Sequence, residues 1–215
     1  MNNKLNRRTL GKTAGVLAGG SVAARVTPVS AQDTTPEATP AGSPVAMDAV
    51  EQILSAWPDV PREVAETVMT AYGPPQEATP SRLIWFDNAP WKRTILYRDV
   101  VQHDFPMPHP DLLEQVIDYQ APPDTYDDLA RYDGSVIVER TKGEMSARCD
   151  KEPMNFLAIN LANDVATGAR TADEARQFYA ETAMAFMEGM SDPYVEGFVF
   201  EVSQGGTADP DQPAM

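Results

Sequence analysis

The sequence predicts a single α+β domain in which a small antiparallel sheet packs against about five to six helices. That sheet would have about five strands, drawn from two hairpins and a C-terminal strand. Three observations predict it. Apolar residues recur with a period of two on both sides of two turn-rich connections, which is the hairpin signature. They recur at three and four in several capped stretches, which is the helix signature. Cys149 is the only cysteine, so residues 48–203 must hold together by packing, and a segment of that length suffices for one core.

The elements follow in order. A short helix over 49–57 closes at Pro58. A second opens at Asp59-Val60-Pro61, carries Val64, Val68, Ala71 and Tyr72 on one stripe, and stops at Gly73 before Pro74-Pro75. Strands over 83–86 and 91–97 flank the turn Asp87-Asn88-Ala89-Pro90, with Trp91, Arg93, Ile95 and Tyr97 on one face. Residues 100–110 read as extended chain studded with Pro106, Pro108 and Pro110. Pro110, at a first helical position, is expected to open a helix through Tyr119 with Leu112, Leu113, Val116 and Ile117 inward. A short helix over 126–132 precedes the second hairpin, 135–139 and 144–149, which turns at Thr141-Lys142-Gly143. Met145, Ala147 and Cys149 share one face of its return strand. A helix over 153–167 ends at Gly168. Thr171-Ala172-Asp173-Glu174 is a capping box for the final long helix, whose stripe includes Phe178, Tyr179 and Phe186. A strand over 194–202 would complete the sheet.

The first 31 residues hold five basic residues (Lys4, Arg7, Arg8, Lys12, Arg25) and no acid. Basic residues, a short weakly apolar stretch and a small-residue cleavage site form a secretory signal. Arg7-Arg8 within Asn6-Arg7-Arg8-Thr9-Leu10-Gly11-Lys12 resembles the twin-arginine motif, which the Tat translocase reads as an address. Asn6, Leu10 and Gly11 depart from the usual form; both arginines and Lys12 keep it. The apolar stretch, residues 13–24, is too short to span a bilayer, which takes about 20 residues. Val29-Ser30-Ala31 fits cleavage after Ala31. A chance arginine pair in an ordinary signal, or an uncleaved anchor, is the alternative. The expectation is Tat export to the periplasm or cell exterior, with no membrane span after cleavage. Residues 32–47 and 204–215, rich in Thr, Pro, Ala, Gly and Asp, read as a disordered linker and tail.

Beyond the first 31 residues, 12 basic residues stand against 32 acidic ones, a net charge of −20. A polyanion is repelled by nucleic acid and by anionic lipid, so neither is an expected partner. The chain has no Gly-rich phosphate loop, His-Glu-x-x-His, Cys-x-x-Cys or Gly-x-Ser-x-Gly, and no cofactor is expected. His103 and His109 are the only histidines. Six residues of extended, proline-stiffened chain cover about 19 Å, so the two would share a metal ion only if the segment doubled back. One of them could instead serve acid–base chemistry, or both could be surface or loop-fixing residues. Cys149 reads as a small buried hydrophobe; a reactive or metal-bound thiolate, favoured by nearby Arg148 and Lys151, is the alternative. Arg140, Lys142, Arg148 and Lys151 cluster, and Trp91-Lys92-Arg93 adds two charges beside an indole. If the hairpins are neighbours, Trp91, Lys92, Arg93, Arg140 and Arg148 would suit a carboxylate or phosphate ligand. Pairing with Glu139, Glu144, Asp150 and Glu152 is the competing reading.

Ala89 to Thr94, His103 to His109, Gly134 to Asp150, and Asn155-Phe156-Leu157-Ala158 with the final helix resemble a family of small exported bacterial proteins. The likeness spans most of residues 57–200. It implies no activity, cofactor or partner, and no residue role. The leading expectation is a non-enzymatic exported domain that binds a small anionic ligand or a protein partner through the hairpins and the 103–109 segment. A hydrolase using His103 or His109 with a carboxylate, and a metal- or cofactor-bearing Tat passenger using Cys149 and the histidines, are its rivals.

Overall fold

The computed structural model describes residues 42–215. The signal, its arginine pair and residues 32–41 of the expected linker lie outside the described residues. The fold is α+β. In chain order it runs α1 (Met47–Leu54), α2 (Asp59–Tyr72), β1 (Glu77–Thr79), β2 (Arg82–Phe86), β3 (Arg93–His103) and β4 (His109–Asp118). A 3-10 turn (Pro123–Thr125) leads to α3 (Tyr126–Tyr132), β5 (Ile137–Glu139), β6 (Glu144–Cys149), α4 (Glu152–Ala166), α5 (Ala172–Met187) and α6 (Pro193–Glu196). One six-stranded antiparallel sheet has the order β1-β2-β3-β4-β6-β5. Among the described residues no helix is long and apolar enough to cross a membrane.

Both expected hairpins form. Leu83 pairs with Leu96 and Trp85 with Thr94 across β2 and β3, and Val138 pairs with Met145 across β5 and β6. Because side chains alternate along a strand, Leu83, Trp85, Leu96, Gln115, Ile117, Met145, Ala147 and Cys149 share one face. That face is covered throughout. Helices α1 and α2 bring Val50, Leu54, Trp57, Ala65 and Val68 to one half of it. Helices α3, α4 and α5 bring Leu129, Leu157, Ile159, Ala175 and Tyr179 to the other. The opposite face carries Arg93, Tyr97, Glu114, Arg148 and Glu144. One packed and one more polar face is the usual antiparallel arrangement, though at central β4 Leu112 and Val116 are buried on this second face too.

Two expected elements differ. Residues 110–119 are not a helix but strand β4, central in the sheet between β3 and β6. Leu112, Leu113, Val116 and Ile117 are all at most 2 % exposed, because a central strand buried on both faces loses its alternation. Its apolar residues then fall at i, i+1, i+4 and i+5, the spacing of a helix stripe. Pro110 opens the strand rather than a helix. The expected C-terminal strand is replaced by α6 and an irregular segment, touching the sheet at one bridge, Asp118 to Ser203. Its alternating Phe198 and Phe200 pack on Trp91, Phe156 and Tyr119. The fully buried Asn160 side chain supplies the bonds a neighbouring strand would: its amide nitrogen donates to the Tyr194 and Gly197 carbonyls, and its oxygen accepts from Val199 N–H. Within residues 204–215, Thr207 is buried and its hydroxyl donates to the Gly143 carbonyl. Gly143, at φ 66°, leaves no room there for a Cβ.

The capping box forms as expected: Glu174 N–H donates to Thr171 Oγ1, and Thr171 N–H to Glu174 Oε2. Asn160→Ala strands two carbonyls and one N–H at a buried position, which costs about 1–3 kcal/mol per orphaned group. We expect urea denaturation to report a loss of about 3 kcal/mol or more, with residues 197–202 becoming the first site of proteolytic cleavage.

Candidate metal centre

Strands β3 and β4 are joined by Asp104-Phe105-Pro106-Met107-Pro108, and this turn reverses the chain. His103 therefore stands directly opposite His109. Asp111, two residues on from His109, shares its face of β4, which is the helix-covered face. The register between the strands shifts between Leu96 and Val101, and the bulge sets which residues of outer β3 meet outer β4. Phe105 pins the turn: its ring meets Tyr179 of α5 at 5.3 Å, and the Arg176 guanidinium lies 3.7 Å above it. Arg176 in turn donates to the Tyr132 carbonyl.

The result is a compact group. One ligand atom from each of His103, His109 and Asp111 lies within 4.8 Å of the other two. His103 Nδ1 is 3.3 Å from Asp111 Oδ2, and His109 Nε2 is 3.1 Å from Asp111 Oδ1. On its far side His103 Nε2 is 3.7 Å from Asp133 Oδ1. Asp133 accepts from the Ser135 N–H and hydroxyl, and burial pushes its carboxyl above the ordinary range. Asp111 is 3 % exposed. Of five buried side-chain polar atoms without a hydrogen-bond partner among the described residues, two are His103 Nδ1 and Asp111 Oδ1. The Nε2–Oδ1 pair is close but off the line of a ring N–H, so it is a charge contact rather than a formed hydrogen bond.

His109 Nδ1 lies 2.8 Å from the Met107 carbonyl oxygen. That oxygen only accepts, so Nδ1 carries the proton. The other nitrogen of a neutral ring would then face a carboxylate oxygen, acceptor against acceptor. A proton or a cation between them resolves the conflict. Asp111 first, then the Cys149 thiol, outweigh burial and raise the His109 pKa to about 11. Metal-ligating histidines are commonly held in this way, with the non-ligating N–H on a backbone carbonyl. Cys149, 4 % exposed, sits beside His109, and burial pushes its thiol up against the opposing influence of His109.

The segment doubles back, so the separation of about 19 Å expected of an extended chain does not arise, and the two imidazole ring centroids are 5.0 Å apart. Asp111 was not among the expected site residues. The signal that would have found it is the pattern His109-x-Asp111, which puts both on one face of a strand but not of a helix.

The expected anion-binding residues do not come together. Trp91 precedes β3 and turns into the core, 1 % exposed, with Nε1 donating to Glu152 Oε2 at 2.8 Å. Arg93 pairs with Glu144 at 2.8 Å, and Lys92 with Asp118 at 2.6 Å and Glu144 at 3.0 Å. Arg140 binds the chain's own tail through Asp209 and Asp211. Arg148 stands opposite Glu114, which accepts from the Tyr97 hydroxyl. Arg93 and Arg148 lie on the polar face, across the sheet from the histidines. Intramolecular pairing, the competing reading, describes Lys92, Arg93 and Arg140; Arg148 Nε is buried without a hydrogen-bond partner.

No known family, curated protein or solved structure matches the chain.

Burial pushes the Glu144 carboxyl up, but Arg93 and Lys92 outweigh it and hold it below its ordinary value of 4.5. A depressed carboxylate contributes stability that is present above the unfolded pKa and is lost as pH falls through the folded one. We expect Glu144→Gln to lower stability at pH 7 by about 2 kcal/mol. Denaturation curves from pH 7 to 3 should show the difference from wild type shrinking below pH 4.5.

Proposed function

We propose that this chain is an exported, non-enzymatic binding domain whose ligand is a divalent transition-metal ion held by His103, His109 and Asp111. The observation that carries this reading is the convergence of two imidazoles on one buried carboxylate, with His103 Nδ1 and Asp111 Oδ1 both lacking partners. Two nitrogens and one oxygen suit the borderline ions, zinc, copper, nickel and iron, rather than calcium or magnesium. Ligand atoms about 2.0–2.2 Å from one tetrahedral ion lie about 3.3–3.6 Å apart, so ligand atoms up to 4.8 Å apart close by little more than about 1 Å on binding. The β3–β4 pairing and the Phe105–Arg176 clamp support such a closure. The expectation of no bound ion rested on distance along an extended chain, and the turn at 104–108 removes that ground.

Acid–base catalysis by His109 with Asp111 is a second reading, favoured by their 3.1 Å separation. It is the weaker one. One ring nitrogen is held by the Met107 carbonyl and the other faces Asp111, and the expected anion pocket is on the far face.

Export through the twin-arginine route is the compartment this reading takes, supported by Arg7-Arg8 and the short apolar stretch. Lysine at both positions should hold the precursor, uncut at Ala31, inside the cell; secretion at the wild-type rate would contradict it.

Calorimetric titration with Zn(II) should give one ion per chain. At about 100 times the dissociation constant, stabilisation should reach about 2.7 kcal/mol. His103→Ala, His109→Ala and the isosteric Asp111→Asn should each weaken binding by about 100-fold or more, with Asp111→Asn the test least exposed to misfolding. Undiminished binding in all three, or no response to Zn(II), Cu(II) or Ni(II), would overturn the reading.

A further inference from the structure

Beside His109 the structure opens a cavity of about 250 Å³. Its lining brings together sulfur-bearing residues from four elements. Met107 comes from the β3–β4 turn, Cys149 from the end of β6, Met154 from the first turn of α4 and Met187 from the last turn of α5. Cys149 is the only cysteine in the chain, and the chain has 10 methionines; three of them meet at this one cavity. Buried methionine is ordinarily an adaptable core filler. Two of these three do not fit that role. Met187 is 60 % exposed and Met107 is half-buried, so both line an opening rather than fill a gap. Met154 and Cys149, at 7 % and 4 % exposed, form the buried end.

The charges around it are paired. Lys151, at the mouth, is turned onto Asp150 by an ion pair, which removes its charge as an obstacle. Asp150 also takes the Cys149 thiol as a donor, at 3.4 Å. Past His109 lies the buried carboxylate of Asp111. Thiol and thioether sulfur are soft donors and select soft, monovalent d10 ions, Cu(I) above all, whereas imidazole serves both soft and borderline ions.

We propose that this cavity is a second ion position, taking a soft monovalent cation of the Cu(I) and Ag(I) class through Cys149 Sγ and the Met154 thioether. Met107 and Met187 complete its open side. The inference extends the proposed metal-binding reading, and the two positions adjoin at His109, whose Nε2 faces Asp111. Asp111 and His103 then belong to the harder position, and Cys149 and Met154 to the softer one. A mature protein outside the cytoplasm would meet copper in either charge state.

The test uses the full chain and Ag(I), which does not change oxidation state, with Cu(I) titrated in parallel against a chromophoric chelator under reductant. Wild type should retain one Ag(I) per chain. Met154→Leu conserves volume and helix propensity, and should weaken Ag(I) and Cu(I) retention by about tenfold or more while leaving the Zn(II) titration unchanged. Cys149→Ser should do the same more strongly, with far-UV circular dichroism and melting temperature verifying that both variants are folded. Asp111→Asn should do the reverse, losing Zn(II) and keeping Ag(I). Ag(I) retained equally by wild type, Met154→Leu and Cys149→Ser would overturn the soft position, as would no Ag(I) retention at all. A protein that binds Ag(I) in this pattern but ignores Zn(II) would instead overturn the reading of His103, His109 and Asp111 and leave the cavity as the metal position.

Discussion

The arrangement depends on how β3 is laid against β4. From Arg93 to Leu96 the strands pair in one register, and from Val101 to His103 in another, with three more residues on β3 than on β4 across the break. Without that insertion the first register would continue outward and set His103 against Pro106, inside the turn. With it, His103 meets His109, and the alternation of β4 brings Asp111 to the same side. A bulge of this kind re-aims side chains at the end of a sheet. Here it brings two imidazoles to one buried carboxylate.

Elsewhere the fold places buried polar side chains where regular structure stops. Glu152, opening α4, accepts from the Tyr72 hydroxyl, Trp91 Nε1 and Gln115 Nε2 on a single oxygen, tying α2, the entry to β3, β4 and α4 to one point. Burial, and then Glu152 itself, raise the Tyr72 pKa, so that hydroxyl stays a donor at any physiological pH. Asn155, one turn on, donates to the Leu113 carbonyl and to Gln115 Oε1. Asn160 does the equivalent for the chain after α6. Helix α4 is buried along nearly all its length, so these contacts are made in a low-dielectric setting where each is worth more than at the surface. The cavity beside His109 opens where this helix begins.

The sequence carried the helices well, because their caps and stripes are local: Thr171 with Glu174, Gly168, Gly73 and the proline pairs needed no tertiary information. It carried the two hairpins for the same reason. It failed at residues 110–118, where burial on both faces of a central strand erased the alternation and left a helix-like spacing. That one error concealed the juxtaposition of His103, His109 and Asp111. On a helix, His109 and Asp111 point in different directions; on a strand they share a face. The C-terminal segment failed differently, since its alternating aromatics are real but serve a groove capped by Asn160 instead of a strand neighbour. The cluster of basic residues was visible as a composition, but only the paired strands decide that Arg93 meets Glu144 and that Arg148 lies across the sheet from the histidines.

The account stands on His103, His109 and Asp111 belonging to one coordination sphere. X-ray absorption at the zinc edge of the loaded full chain tests this directly. It should give two imidazole scattering patterns with nitrogen at about 2.0–2.1 Å and a carboxylate oxygen at about 2.0–2.2 Å. A first shell of oxygen alone, or one unchanged when His103 is replaced, would contradict it.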